Sequence, residues 1–172
     1  AIAIKPDYAE AYNNLGISLQ SLGKIEEAVA IFKKTIVIKP DYAEAYSNLG
    51  IILQEVGKLD EAVISYNKAL VIKPNFAEAY SNLSLALQDL GQLDKAVASC
   101  RQALTIKPDY AEAHNNLGVA LQDLGKLDNS MASYNKALSI KPDYHEAYSN
   151  LGNTLKDLGR LDEAVTSYNA AL

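Results

Sequence analysis

The segment PDYAEAYSNLG at residues 40–50 recurs with small changes from Pro6, Pro74, Pro108 and Pro142, so five prolines stand 34 residues apart. Self-similarity at this period means a stack of near-identical supersecondary units, each too small to bury its own apolar face and each completed by its neighbours. Such a chain has a long, thin core in place of a single compact one. The units run 6–39, 40–73, 74–107, 108–141 and 142–172, and together they form one array over 1–172. Residues 1–5, AIAIK, match the end of a preceding unit (TIVIK at 35–39), and the last copy stops a few residues short, so the chain is expected to be a piece of a longer array.

Within a unit the pattern is that of two helices. In the first copy Lys5 precedes a proline, which disfavours helix and marks the end of the previous element. Asp7 followed by Glu10 has the D-x-x-E form of a helix cap, so a helix is expected from this point. Ala11, Tyr12, Leu15, Gly16, Leu19 and Leu22 then recur at three- and four-residue spacing, and Gly23 with Lys24 closes the helix. A second helix opens on Glu26 and Glu27 and carries Ala28, Val29, Ile31, Phe32, Thr35, Ile36 and Ile38 on its apolar faces. Glycine or serine holds one place on the first helix (Gly16, Gly50, Ser84, Gly118, Gly152), and alanine or serine one on the second (Ala28, Ala62, Ala96, Ser130, Ala164). A glycine inside a helix costs about 1 kcal/mol relative to alanine, so its retention implies close helix contact. The reading is an all-α chain of antiparallel helix pairs.

Hydrophobic residues make up 49% and charged residues 22%, values of a folded chain, and no apolar run reaches the roughly 20 residues of a membrane helix. A soluble chain without a membrane partner is expected. The net charge of -5 argues against nucleic acid, which wants a basic face. Cys100 stands where other copies have Phe32, Tyr66, Tyr134 and Tyr168, which makes it a core residue. His114 and His145 belong to no spaced ligand set, so neither metal nor cofactor is expected. The carboxylate pairs Glu26 with Glu27 and Asp162 with Glu163 open helices, where the dipole accounts for them without acid–base chemistry. No enzyme is read here.

The Tyr12-x2-Leu15-Gly16-x2-Leu19 pattern, followed by Ala28-x3-Phe32 and Pro40, resembles the tetratricopeptide repeat over essentially the whole chain. The resemblance implies an α-solenoid wound as a right-handed superhelix, with a concave groove lined by the first helix of each pair, that binds proteins or peptides.

The side of the first helix not used by the apolar stripe is the candidate ligand face. It carries Glu10, Glu44, Glu78, Glu112 and Glu146, then Asn13 and Asn115 with serines between them, and then Asn14, Asn48, Asn82, Asn116 and Asn150. Ile17, Ile51, Leu85 and Val119 follow, with Gln20, Gln54, Gln88 and Gln122 beyond them. A primary amide donates and accepts, which suits the main chain of an extended ligand whatever its side chains. Glu55, Asp89, Asp123 and Asp157 finish the face, and with nine carboxylates against Lys156 it favours polar or basic segments. Each asparagine has a second reading, as a bond to the neighbouring unit that holds the stack together. Tyr8, Tyr42, Phe76, Tyr110 and Tyr144, near the turns, either pack or reach the groove edge.

The asparagine in AEAYSNLG is similar to that of the repeat arm of protein O-GlcNAc transferases. That resemblance implies a substrate-holding ladder at Asn14, Asn48, Asn82, Asn116 and Asn150, and nothing in the chain matches the catalytic portion. The related clamps for C-terminal carboxylates need Lys or Arg beside the asparagine, where this chain has Glu, Ser and Ile. The expected function is a non-enzymatic scaffold for an extended peptide. The alternatives are self-association through the array ends, or the recruiting arm of a glycosyltransferase.

Overall fold

The computed structural model describes residues 6–172, so the readings of residues 1–5 and of Lys5 as a helix end lie outside the described residues. Among the described residues there are ten helices and no strands. The first helices of the pairs are α1 (Pro6–Ser21), α3 (Ala43–Glu55), α5 (Ala77–Asp89), α7 (Ala111–Asp123) and α9 (His145–Asp157). The second helices are α2 (Ile25–Ile38), α4 (Leu59–Ile72), α6 (Leu93–Ile106), α8 (Leu127–Ile140) and α10 (Leu161–Ala170). The fold is an all-α solenoid of helix pairs. It comprises two compact units, one ending at Ala86 and one beginning at Leu87, with the boundary inside α5.

In the unit ending at Ala86, α1 packs on α2, α2 on α3, α3 on α4, and α1 also touches α3. The core is built on Phe32 and Tyr66, both with no exposed surface, and on the small Ala28, Ala45 and Ala62 beside them. Where the second helix carries an aromatic, the glycine on the first helix has a steric reason: a Cβ on Gly50 would sit 2.6 Å from Tyr66 Cε1. The unit from Leu87 repeats the scheme, with α6 on α7, α7 on α8, α8 on α9 and α9 on α10. There Tyr134, Leu151, Leu155 and Ala164 form the core, flanked by Val119, Met131, Leu138 and Tyr168. Ser130 replaces the usual alanine, and its buried hydroxyl is satisfied by donating to the Gly118 carbonyl at 2.7 Å. Cys100 is buried, as its place in the repeat implies.

The pairs are closed by a C-terminal motif that only glycine fits easily. Gly57 has φ 75°, its N–H donates to Gln54 O at 2.9 Å, and Lys58 N–H donates to Leu53 O at 2.8 Å. These are the two bonds of the Schellman cap, which satisfy carbonyls that the helix end leaves open.

The start of the first helices departs from the sequence reading. The helices begin at Ala43, Ala111 and His145, with Tyr42, Tyr110 and Tyr144 at the N-cap and no side-chain cap bond. Proline and aspartate lie in the preceding turn, closed by Tyr42 N–H to Lys39 O at 3.2 Å and repeated at Tyr110 and Tyr144. Proline's fixed φ favours the second position of such a turn, so Asp41 is a turn residue and not a cap. Only α1 begins at its proline, and the expected cap by the Asp7 side chain lies outside the described residues.

Candidate peptide-binding face

Each first helix presents its glutamate, asparagine, apolar and glutamine places along one side, because they follow at three- and four-residue steps. In the unit ending at Ala86 this gives three successive rows, on α1, α3 and the part of α5 up to Ala86.

The two adjacent asparagine places differ sharply. Asn13 is buried at 6% exposure and Asn115 at 0%, so neither lies on the open face where the sequence placed it. Both serve the stack. Asn48 Nδ2 donates to Asn13 Oδ1 at 3.0 Å, and in the other unit Asn150 Nδ2 donates to Asn115 Oδ1 at 3.1 Å. Asn115 Nδ2 in turn donates to Glu146 Oε1 at 3.1 Å. The reason is rotational: a step of one residue turns the side chain by 100° around the helix, from the open side to the side facing the next repeat.

Of the expected ladder, Asn14 is exposed, Asn48, Asn82 and Asn150 are half-buried, and Asn116 is buried. Asn48 and Asn150 commit an N–H to the neighbouring repeat, as just described. Asn82 differs: among the described residues its side chain has no hydrogen bond. Thirty-five residues before it, where Asn48 and Asn150 find an asparagine, stands Ser47, buried at 4%, which has a hydroxymethyl in place of the amide.

The glutamines are similarly engaged. Gln20 donates to Glu55 at 2.7 Å, Gln88 to Asp123 at 2.6 Å and Gln122 to Asp157 at 3.3 Å. Gln122 Oε1 also accepts from Tyr134 and Thr154, at 3.1 and 3.0 Å, and Gln54 Oε1 accepts from Tyr66 at 3.3 Å. Of the apolar row, Ile17 is 42% exposed, Ile51 and Leu85 are half-buried, and Val119 leans on the Tyr134 core.

The acids are less free than their number suggests. Glu44 pairs with Lys73 Nζ at 2.7 Å, and Glu112 lies 4.0 Å from Lys141. Burial pushes the Glu44 carboxyl up, but the Lys73 hydrogen bond and positive charge outweigh it and hold the group below its ordinary value. Four of the turn aromatics carry a lysine over the ring: Lys39 lies 4.6 Å over Tyr42, Lys73 4.4 Å over Phe76, Lys107 4.6 Å over Tyr110 and Lys141 4.7 Å over Tyr144. The acid pairs that open second helices bond to the basic residue at the helix start, as Lys24 does to Glu27 at 3.1 Å and Arg160 to Glu163 at 2.6 Å.

Elsewhere the chemistry is sparse. A shallow depression between α8 and α10 is lined by Met131, Asn135, Arg160 and Glu163, but its guanidinium is already bound to Glu163 through two hydrogen bonds. Burial lowers the His114 pKa, and its Nε2 lies 3.0 Å from Pro108 O. Among the described residues no set of three or more His, Cys, Asp or Glu is placed to hold a metal ion, and no helix is long and apolar enough to cross a membrane.

Comparison with known proteins agrees with this geometry. Residues 7–74 and 65–98 match two family models described as tetratricopeptide repeat, and residues 85–125 and 122–159 match a third described as TPR repeat. The crystal structure of MamA is 28% identical, with 91% of each chain covered and a TM-score of 0.80. TTC0263, a thermophilic TPR protein of Thermus thermophilus, is 27% identical over 95% of this chain and 90% of its own, with a TM-score of 0.80. YrrB, described as a TPR protein with an unusual peptide-binding site, is 23% identical over 93% of this chain and 82% of its own, with a TM-score of 0.72. A search of curated proteins returned no match. The helix pairs, the 34-residue period and the family matches agree: the chain belongs to the tetratricopeptide repeat family and is a scaffold for protein–protein interaction.

Proposed function

We propose that the face formed by α1, α3 and α5 in the unit ending at Ala86 binds an extended protein segment through its main chain. The observation that carries this reading is Asn82, a half-buried amide whose donors and acceptor are unspent, beside Leu85 and on the same face as Ile51. A buried or half-buried amide is costly to leave unmade, so a ligand amide that reaches it gains more than one meeting a fully solvated group. Asn14, exposed on α1, and the second N–H of Asn48 extend the same row.

Three amide contacts at a net ~0.5–1.5 kcal/mol each supply roughly 1.5–4.5 kcal/mol, against an association cost of about 4 kcal/mol or more. The amides therefore orient the ligand, and burial on Ile17, Ile51 and Leu85 supplies the remaining affinity. Asn116, Asn150 and Asn115 of the other unit are buried or bonded to one another and contribute mainly to stability.

The test is Asn82→Ala, read by urea unfolding and by retention of a random decapeptide library displayed on phage. Because the Asn82 side chain makes no hydrogen bond among the described residues, the unfolding midpoint is expected to hold while affinity for selected peptides falls about two- to tenfold. A lowered midpoint with unchanged retention would reverse the assignment and make Asn82 a structural residue.

A further inference from the structure

On α5, Glu78 stands one helical turn before Asn82, so the two side chains are neighbours on one face. The corresponding glutamates of three other repeats have partners: Glu44 holds Lys73 at 2.7 Å, Glu112 lies 4.0 Å from Lys141, and Glu146 accepts from Asn115 at 3.1 Å. Glu78 is exposed and, among the described residues, makes no ion pair and accepts no side-chain hydrogen bond. An unspent carboxylate, an unspent amide and the apolar Leu85 thus follow one another along a single helix face. The side chains of Glu10 and Asn14 on α1 also lack a hydrogen bond or ion pair among the described residues, but both residues are exposed, whereas Asn82 is half-buried.

We infer that Glu78 and Asn82 form a subsite for an arginine or lysine side chain of the bound segment, next to a main-chain amide held by Asn82. This assignment rests on the peptide-binding reading above. Charge complementarity decides the occupant. Removing a cation's water is repaid by a carboxylate that makes no ion pair among the described residues, and an amide oxygen beside it accepts a second N–H. An acidic segment would meet Glu78 with like charge, and a wholly apolar one would leave both groups unbonded. A guanidinium, with five donors in a rigid fork, can reach both groups at once, so arginine is preferred over lysine.

The experiment compares decapeptides selected from a random phage library by the native chain and by Glu78→Gln, which keeps the shape at an exposed position. Native selections are expected to be enriched about two- to fivefold in arginine and lysine at one position, the range for a solvent-facing ion pair, and the enrichment should shrink with added salt. Glu78→Gln should retain peptides but lose the enrichment. Peptides retained with no basic preference, or with a preference that survives Glu78→Gln, would overturn the subsite and leave main-chain binding standing. No peptide retained above background by either protein would remove both readings.

Discussion

Ser47→Asn offers the sharpest test of how the stack and the ligand face compete for the same amides. Where an asparagine occupies the place of Asn13 or Asn115, the amide one repeat later donates to it at 3.0 or 3.1 Å; where Ser47 stands, Asn82 is unbonded. Asparagine at 47 should therefore capture Asn82. The site has precedent for the extra volume, since Asn13 and Asn115 are accommodated at 6% and 0% exposure in equivalent surroundings. One new hydrogen bond is worth a net ~0.5–1.5 kcal/mol. For a chain of this size that is an increase of about 1 to 6 °C in Tm. Because repeat arrays need not unfold in one step, the urea midpoint and slope should be followed by circular dichroism alongside the melt. The double variant Ser47→Asn with Asn82→Ala closes a mutant cycle that isolates the new bond from any packing effect of the larger side chain. Ser47→Asn should also lower peptide retention, because the amide is no longer available. A coupling energy near zero between positions 47 and 82 would refute the explanation for Asn82, and a stabilised variant that retains peptides as before would refute its ligand role.

The remaining predictions concern the stack itself. Asn115→Ala removes the acceptor of Asn150 and a donor to Glu146 from a fully buried site, and should cost about 1–3 kcal/mol in urea unfolding, in contrast to the silent Asn82→Ala. Gly118→Ala would place a methyl 2.5 Å from Tyr134 Cε1 and should destabilise by about 1–3 kcal/mol; Gly118→Ala with Tyr134→Leu should recover part of that loss. Glu44 has its folded-state pKa below the ordinary carboxylate value, so its contribution is present above that value and lost as pH falls through the folded-state pKa. Lys73→Gln should therefore flatten the acid limb of a urea-midpoint profile. Burial raises both Tyr134 and Tyr144 to about 12, so their ionisation in an absorbance titration should come well above pH 10, with stability falling as pH rises from 10 toward 12.

Much of the architecture was legible because it repeats. The helix pairs, the closing glycine turn, the steric role of Gly50 and the burial of Cys100 all follow from comparing five near-copies of one pattern. What stayed hidden depended on three-dimensional offsets. Asn13 and Asn14 are adjacent and chemically alike, and only the rotation between them sends one into the inter-repeat seam and leaves the other exposed. The Glu44 to Lys73 pair joins positions 29 residues apart, a spacing with no signature along the chain, so the acidic face read as more charged than it is. In later copies the aspartate after the proline, such as Asp41, lies in a proline turn that precedes the helix, a competition that the D-x-x-E spacing does not reveal. Asn82 was indistinguishable from its counterparts because its lack of a side-chain partner among the described residues is a property of the folded stack and not of its own repeat.

Among the described residues, the side-chain hydrogen bonds that join one repeat to the next within each unit have partners 24 to 35 residues away, no farther than the neighbouring repeat. Duplicating or excising a whole copy leaves every such partner at its former offset, so length can drift through recombination without any contact being reinvented. Selectivity then evolves on a separate channel. At position 47 an exchange between serine and asparagine is the kind of single change that ties the Asn82 rung into the lattice or leaves it open for a guest.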